Sequence, residues 1–229
     1  MDYTYEQIAK MIDHSLLNPT MTDEELDEGC RVAARYDVAT VCIKPYYLKQ
    51  AVKLLAGTAV KPTITVGFPH GGHSTAMKTA ESKEGLRDGA RELDMVVNIG
   101  KVLSRDWRFV RSDIEAVVKT GHDGGALVKV IFENCYLQDE HKIKLCEICG
   151  ELRADFVKTS TGYGSGGATI ADLKLMRAHS PAHVQVKAAG GVRTLDALLE
   201  VRAVGVTRVG ASRTAEMLEE CKRRLAQRK

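Results

Sequence analysis

No run of this sequence stays apolar for the ~20 residues a membrane-spanning helix needs, so no membrane partner is expected. The opening MDYTYEQIAK lacks a basic region followed by an apolar one. No secretory signal is read there, and a cytoplasmic location is expected. No Pro/Ser-rich linker and no low-complexity segment divides the chain. Charge is nearly balanced, at a formal +3. That mild excess suits a phosphorylated small molecule but is too small to argue for nucleic acid. What is present is a 229-residue chain, 44% apolar and 28% charged. That length fits one large domain and can bury a sizeable core.

The six cysteines are expected to be reduced thiols, as in a cytosolic protein. Cys146 and Cys149 form a CxxC pair, but no second pair completes a four-ligand zinc site. They sit in a helical pattern, KIKLCEICGEL, and are read as small hydrophobes packed in a helix.

Eight β-rich runs recur: 11–17, 38–44, 62–68, 92–98, 126–132, 155–161, 183–189 and 207–212. Most are rich in β-branched residues, as strands buried on both faces are. Helical patterns lie between them. Thr22 and Glu25 form a capping box for a helix running toward Tyr36. Further helices are expected over 46–56, 74–89 (weakly amphipathic, with Gly85 inside), 105–119 and 139–152. Another runs from Thr169 through Met176, and one from Thr194 to before Gly205. Residues 213–229 supply a closing helix and a basic tail. Eight alternations of strand and helix imply parallel strands with helical crossovers, and favour a single (β/α)8 barrel over an open sheet. Chemistry in such a barrel sits at the C-terminal strand ends.

Five charges lie in or near the strands: Asp13, Asp94, Lys129, Lys158 and Lys187. One alone would be read as a structural ion pair, because an unpaired buried charge is costly. Five distributed around one barrel are read as converging on a site. A lysine attacks a carbonyl only as the neutral amine, and at a pKa of ~10.4 only about one in ~2500 is neutral at pH 7. Burial and a neighbouring cation both lower that pKa. Neighbouring strands lie ~4.8 Å apart, so Lys158 and Lys187 can be close. Lys158 is expected to be the nucleophile of a Schiff base. Lys187 keeps it neutral and shuttles protons, and Asp94 moves protons through a water at the carbon next to the imine.

Glycine turns follow the last three strands. They contribute Gly162 and Gly164, then Gly190 and Gly191, then Gly210 with Ser212. Bare amides and helix N-termini hold anions, so these turns are expected to bind a phosphate, with Arg213 adding a charged contact. Asp13, Cys42, Lys129, Asn98 and Thr159 are expected to support the site from behind or to orient substrate. No histidine base is adjacent to Cys42 in sequence. His70 and His73, in PHGGH, lack a nearby acidic or cysteine partner, so a loop over the barrel mouth is expected there rather than a metal site.

The motifs IDHSLL, TVCIKPYY, ELDMVVNIG, VKVIFE, FVKTSTGYGSGGAT, VKAAGGVRT and RVGAS cover nearly the whole chain in order. Together they closely resemble deoxyribose-phosphate aldolase, a class I aldolase family. The resemblance implies a metal-independent (β/α)8 barrel without a cofactor. It implies reversible cleavage of 2-deoxy-D-ribose 5-phosphate to D-glyceraldehyde 3-phosphate and acetaldehyde. It also implies that Lys158 forms the Schiff base and that Lys187 and Asp94 handle protons. The substrate comes from the resemblance alone. The glycine turns by themselves also fit another sugar-phosphate aldolase or isomerase, or a non-catalytic phosphosugar-binding barrel. The expected partner is a phosphorylated sugar, and the expected assembly a homodimer or higher homo-oligomer, although no motif sets the number of copies.

Overall fold

A computed structural model of the chain describes residues 3–227. Eight parallel strands close into one barrel in sequence order, each hydrogen-bonded to the next and β8 to β1. The expected α/β class and (β/α)8 architecture are therefore found.

The chain enters through a short helix α1 (Tyr5–Ala9) into β1 (Ile12–Leu16), α2 (Asp23–Tyr36) and β2 (Thr40–Ile43). A 3-10 turn at Pro45–Tyr47 leads into α3 (Leu48–Leu54) and β3 (Lys61–Val66). Then come α4 (Thr75–Asp88), β4 (Glu92–Val96), α5 (Ile99–Leu103), α6 (Trp107–Asp123), β5 (Leu127–Ile131) and α7 (Asp139–Glu151). The last units are β6 (Phe156–Lys158), α8 (Ile170–His179), β7 (Gln185–Ala189), α9 (Leu195–Ala203), β8 (Arg208–Ala211) and α10 (Thr214–Ala226). Arg228 and Lys229, the end of the basic tail, lie outside the described residues.

Side chains alternate across each strand. One set, including Val41, Ile64, Leu93, Val128, Val157, Val186 and Val209, joins the helices in a single apolar layer. Leu26, Ile114, Leu145, Leu173, Leu198 and Leu218 come from the helix side of that layer. The other set is mostly polar and is buried just as fully: Asp13, Thr63, Thr65, Glu92, Asp94, Lys129, Lys158 and Lys187, with Phe156 among them. Both faces are thus dry, but only the outer one is oily.

Several boundaries differ from the sequence expectation for identifiable reasons. β6 stops at Lys158 instead of running to 161, because Thr159 and Thr161 turn their hydroxyls to Ala189 and Glu133. α6 continues past 119 to Asp123, since Gly121 packs on Val128 and Leu93, where a side chain would collide. α1 and α5 were not expected. Thr4 with Gln7 caps the first and Asn98 the second. α4 is weakly amphipathic because its buried face is itself polar. Lys78 is fully buried there and bonds Asp113 of α6 at 2.6 Å and the Val96 carbonyl at 2.8 Å. Cys146 and Cys149 are buried in α7, and burial raises the Cys146 thiol to about 11, which suits packing rather than redox work.

Candidate active site

Strand register assembles the charged layer. Asp94 lies beside Lys129 on β4 and β5, and Lys158 beside Lys187 on β6 and β7. Lys187 in turn lies beside Arg208 on β8. The barrel curls these positions together. Lys158 Nζ donates to Asp94 Oδ2 at 2.7 Å, and Lys187 Nζ donates to the same oxygen at 2.8 Å. Lys187 also reaches Asp13 Oδ2 at 2.5 Å. Lys129 Nζ bonds Asp94 Oδ1 at 2.7 Å and lies 2.5 Å from Glu92 Oε2. Arg208 Nη1 closes the group on Asp13 Oδ1 at 2.7 Å and on Glu92 Oε2 at 3.0 Å. All five charged residues expected from the sequence meet here.

Three carboxylates (Asp13, Glu92, Asp94) thus face four basic groups (Lys129, Lys158, Lys187, Arg208) among the described residues. A buried cluster is most stable near neutrality, so one proton is in excess. The surroundings decide which base gives it up. Burial works against charge on Lys187, but Asp13 and Asp94 outweigh it and hold the ammonium above its usual range. Lys129 is held up in the same way by Asp94, Glu92 and Asp13. Lys158 is different. Burial lowers its pKa first of all, Asp94 alone among the carboxylates opposes this, and the Lys187 ammonium lowers it further. Asp94 is buried too, yet three lysines drive its carboxyl well below the usual range. Burial raises the Cys42 thiol to about 11, and its Sγ lies 3.9 Å from Asp94 Oδ2. Cys42 is a neutral wall of the cluster.

Lys158 is where this layer meets the outside. It lines a cavity of about 640 Å³ at the C-terminal end of the barrel. Gly162, Gly190, Gly191, Gly210 and Ser212 line the same cavity. The turns after β6 and β7 pack backbone on backbone. A Cβ on Gly167 would sit 2.3 Å from the Gly190 carbonyl oxygen, and Gly190 has φ +79. Only glycine fits both places.

Three expected site residues stand elsewhere, and a fourth, Thr159, supports the site from behind without lining the cavity. Gly164 packs against Cys135 and Glu133 and does not line the cavity. Arg213 projects to the surface beside Glu216, over an adjoining cleft that Arg193 also lines, and does not line the main cavity. The Asn98 side chain accepts the Lys101 amide as the N-cap of α5. Thr159 is wholly buried and stitches β6 to β7, accepting from the Ala189 amide and donating to its carbonyl. In the PHGGH loop, His70 and His73 are exposed, and the described residues contain no cluster of His, Cys, Asp or Glu able to hold a metal.

Sequence reasoning missed six residues. Glu92 and Arg208 are charges within apolar strands, the signal that found the other five. Arg193, next to the β7 glycines, lines the cavity where Arg213 does not. Glu133 has left-handed backbone (φ 59) and accepts from the Thr161 amide and hydroxyl, anchoring the β6 turn. Tyr163 lines the cavity, donates to the Leu17 carbonyl at 2.6 Å, and meets Phe68 edge-on at 5.5 Å. His14 lines the cavity and shares a 2.7 Å hydrogen bond with Thr214 at the start of α10. The last three lie inside the motifs VKVIFE, FVKTSTGYGSGGAT and IDHSLL, but no charge within an apolar strand and no glycine turn singles them out.

Residues 7–212 match the model of the DeoC/LacD family of aldolases. The chain is 62% identical over 224 residues to the deoxyribose-phosphate aldolase of Rhodopirellula baltica, covering 98% of this chain and 93% of that one. It is 46% identical over 214 residues to the enzyme of that name from Thermococcus gammatolerans, covering 93% and 95%. Among solved structures, the tetrameric deoxyribose phosphate aldolase of Aeropyrum pernix superposes with a TM-score of 0.88 at 30% identity, over 96% of this chain and 92% of that one. A match of this extent, with relatives aligned over nearly their full length, means that the chain belongs to the DeoC/LacD family of aldolases, enzymes of the carbon–carbon lyase class.

Proposed function

We propose that the protein is a Schiff-base aldolase that reversibly cleaves 2-deoxy-D-ribose 5-phosphate to D-glyceraldehyde 3-phosphate and acetaldehyde. The observation that carries the reading is Lys158. It is a buried lysine whose amine is pushed toward the neutral form, on the wall of an open cavity, beside a second lysine that stays charged. The relatives named above supply the substrate.

In the cleavage direction the Lys158 amine adds to the open-chain aldehyde at C1. Loss of water gives an iminium, which draws electrons from the C2–C3 bond. That bond breaks as the C3 hydroxyl loses its proton, and D-glyceraldehyde 3-phosphate leaves. The remaining enamine takes a proton at C2, and hydrolysis releases acetaldehyde and the free lysine. Asp94 Oδ2 accepts from both Lys158 Nζ and Lys187 Nζ, so the carboxylate links the two amines and can pass protons to and from the Lys158 nitrogen and, through a water, C2. The glycine turns, Ser212 and Arg193 sit across the same cavity, where amides and a guanidinium suit the phosphate. Holding that distant group fixes C1 against Lys158. The reaction draws on side chains alone and calls for no cofactor.

Self-association is part of the proposal, and the tetramer of Aeropyrum pernix supports it. The test of activity is direct. Incubation with 2-deoxy-D-ribose 5-phosphate should release acetaldehyde and glyceraldehyde 3-phosphate together, and Lys158→Leu should release neither while keeping its thermal unfolding transition. Turnover by the Lys158→Leu protein, or isomerisation without cleavage, would overturn the reading.

A further inference from the structure

Lys158 stands at one end of a line of charges that runs down the barrel interior. Glu92 and Arg208 open β4 and β8, at the end of the barrel away from the cavity. The guanidinium lies 5.1 Å from the Phe156 ring and bridges Asp13 to Glu92. Glu92 pairs with Lys129, Lys129 with Asp94, and Asp94 with Lys158. Neither Glu92 nor Arg208 lines the cavity. No step of the cleavage uses them.

We propose that Arg208 and Glu92 are positioning residues for charge: from the far end of the barrel they set the balance that keeps Lys158 a free amine. This rests on the Schiff-base reading of Lys158. The groups facing Lys158 are Asp94 from β4, Lys187 from β7 and the Cys42 thiol from β2. Behind them stand Lys129 on β5 and Asp13 on β1, each tied to Glu92 or Arg208. In so dry a space the count of charges decides where the surplus proton goes.

With four bases against three carboxylates, the loss of one proton leaves the cluster neutral. Removing Arg208 leaves three against three. A proton leaving Lys158 then creates a net negative charge, so Lys158 holds it more tightly. Removing Glu92 leaves four against two, and Lys158 gives up its proton more readily. Removing both restores a surplus of one. A merely structural role for the pair would not produce opposite effects that cancel.

The experiment follows the pH at which trapping of Lys158 by acetaldehyde and cyanoborohydride is half-maximal, read by peptide mapping of the full chain. Arg208→Met should raise that pH by about one unit or more, and Glu92→Gln should lower it comparably. The double variant should fall back close to the unmodified protein, and Arg208→Lys should barely differ from it. If Arg208→Met does not fold, Glu92→Gln and the double variant still decide. Half-points that stay together, or Glu92→Gln moving upward, overturn the inference while leaving the Schiff base standing. Failure of the unmodified protein to trap at Lys158 overturns the Schiff base itself, and the inference with it.

Discussion

Lys158 and Lys187 are register partners on adjacent strands, and both donate to one oxygen, Oδ2 of Asp94, at 2.7 and 2.8 Å. Two ammonium groups sharing one acceptor repel each other. What separates them is the second carboxylate: Lys187 also bonds Asp13, and Lys158 does not. One lysine is therefore held charged, and the other is the one poised to lose its proton.

Replacing Lys187 with leucine removes that repulsion. Lys158 should become more basic, so the acid limb of kcat/KM against pH should move upward. Cleavage at neutral pH should fall by ~10²-fold or more, because the proton shuttle is lost as well. A profile that drops without shifting would mean Lys187 moves protons but does not tune its neighbour.

Asp94→Asn keeps the shape but removes the carboxylate that three lysines share. The enzyme is expected to exchange the methyl hydrogens of acetaldehyde with D2O through the enamine. In the variant this exchange should fall by ~10²–10⁴-fold. Exchange at the original rate would assign the C2 proton to another group.

The barrel was legible because strands buried on both faces read as continuous β-branched runs, and all eight were found. The interior charges were legible for a related reason: a lysine or aspartate inside such a run is conspicuous. Glu92 and Arg208 carry the same signal, but each sits at the edge of its run, where a charge passes for a strand terminus. Only the register shows that they join the cluster. The phosphate side was less legible. Arg213 follows Ser212 directly, yet the start of α10 turns it outward to Glu216. Arg193, beyond the β7 glycines, faces the cavity instead. Glu133 and His14 act through contacts far away in sequence, with Thr161 and Thr214, which local pattern cannot show.

The two arginines can be told apart by kinetics. Arg193→Ala should raise KM for the phosphorylated substrate ~10-fold or more, the scale of one lost charged hydrogen bond, with little change for unphosphorylated 2-deoxyribose. Arg213→Ala should leave both nearly unchanged. The opposite ranking would move the phosphate to the cleft beside α10.

His14 gives a pH dependence of stability. Burial lowers its pKa from the ordinary 6.5 to about 4. Between those values the unfolded chain binds a proton that the folded one does not. Its stabilising contribution is full above about 6.5 and is lost as pH falls toward about 4, on the order of 3 kcal/mol in total. Urea unfolding across that window should show the unmodified protein losing this much more stability than His14→Gln. Parallel losses in the two proteins would show that His14 is not the group responsible.

The most direct measurement is where acetaldehyde attaches. After reduction with borohydride and proteolysis, a single ethyl group is expected on the peptide containing Lys158, with none on Lys187 or Lys129. An ethyl group on Lys187, or an unmodified protein that still cleaves 2-deoxy-D-ribose 5-phosphate, would contradict it.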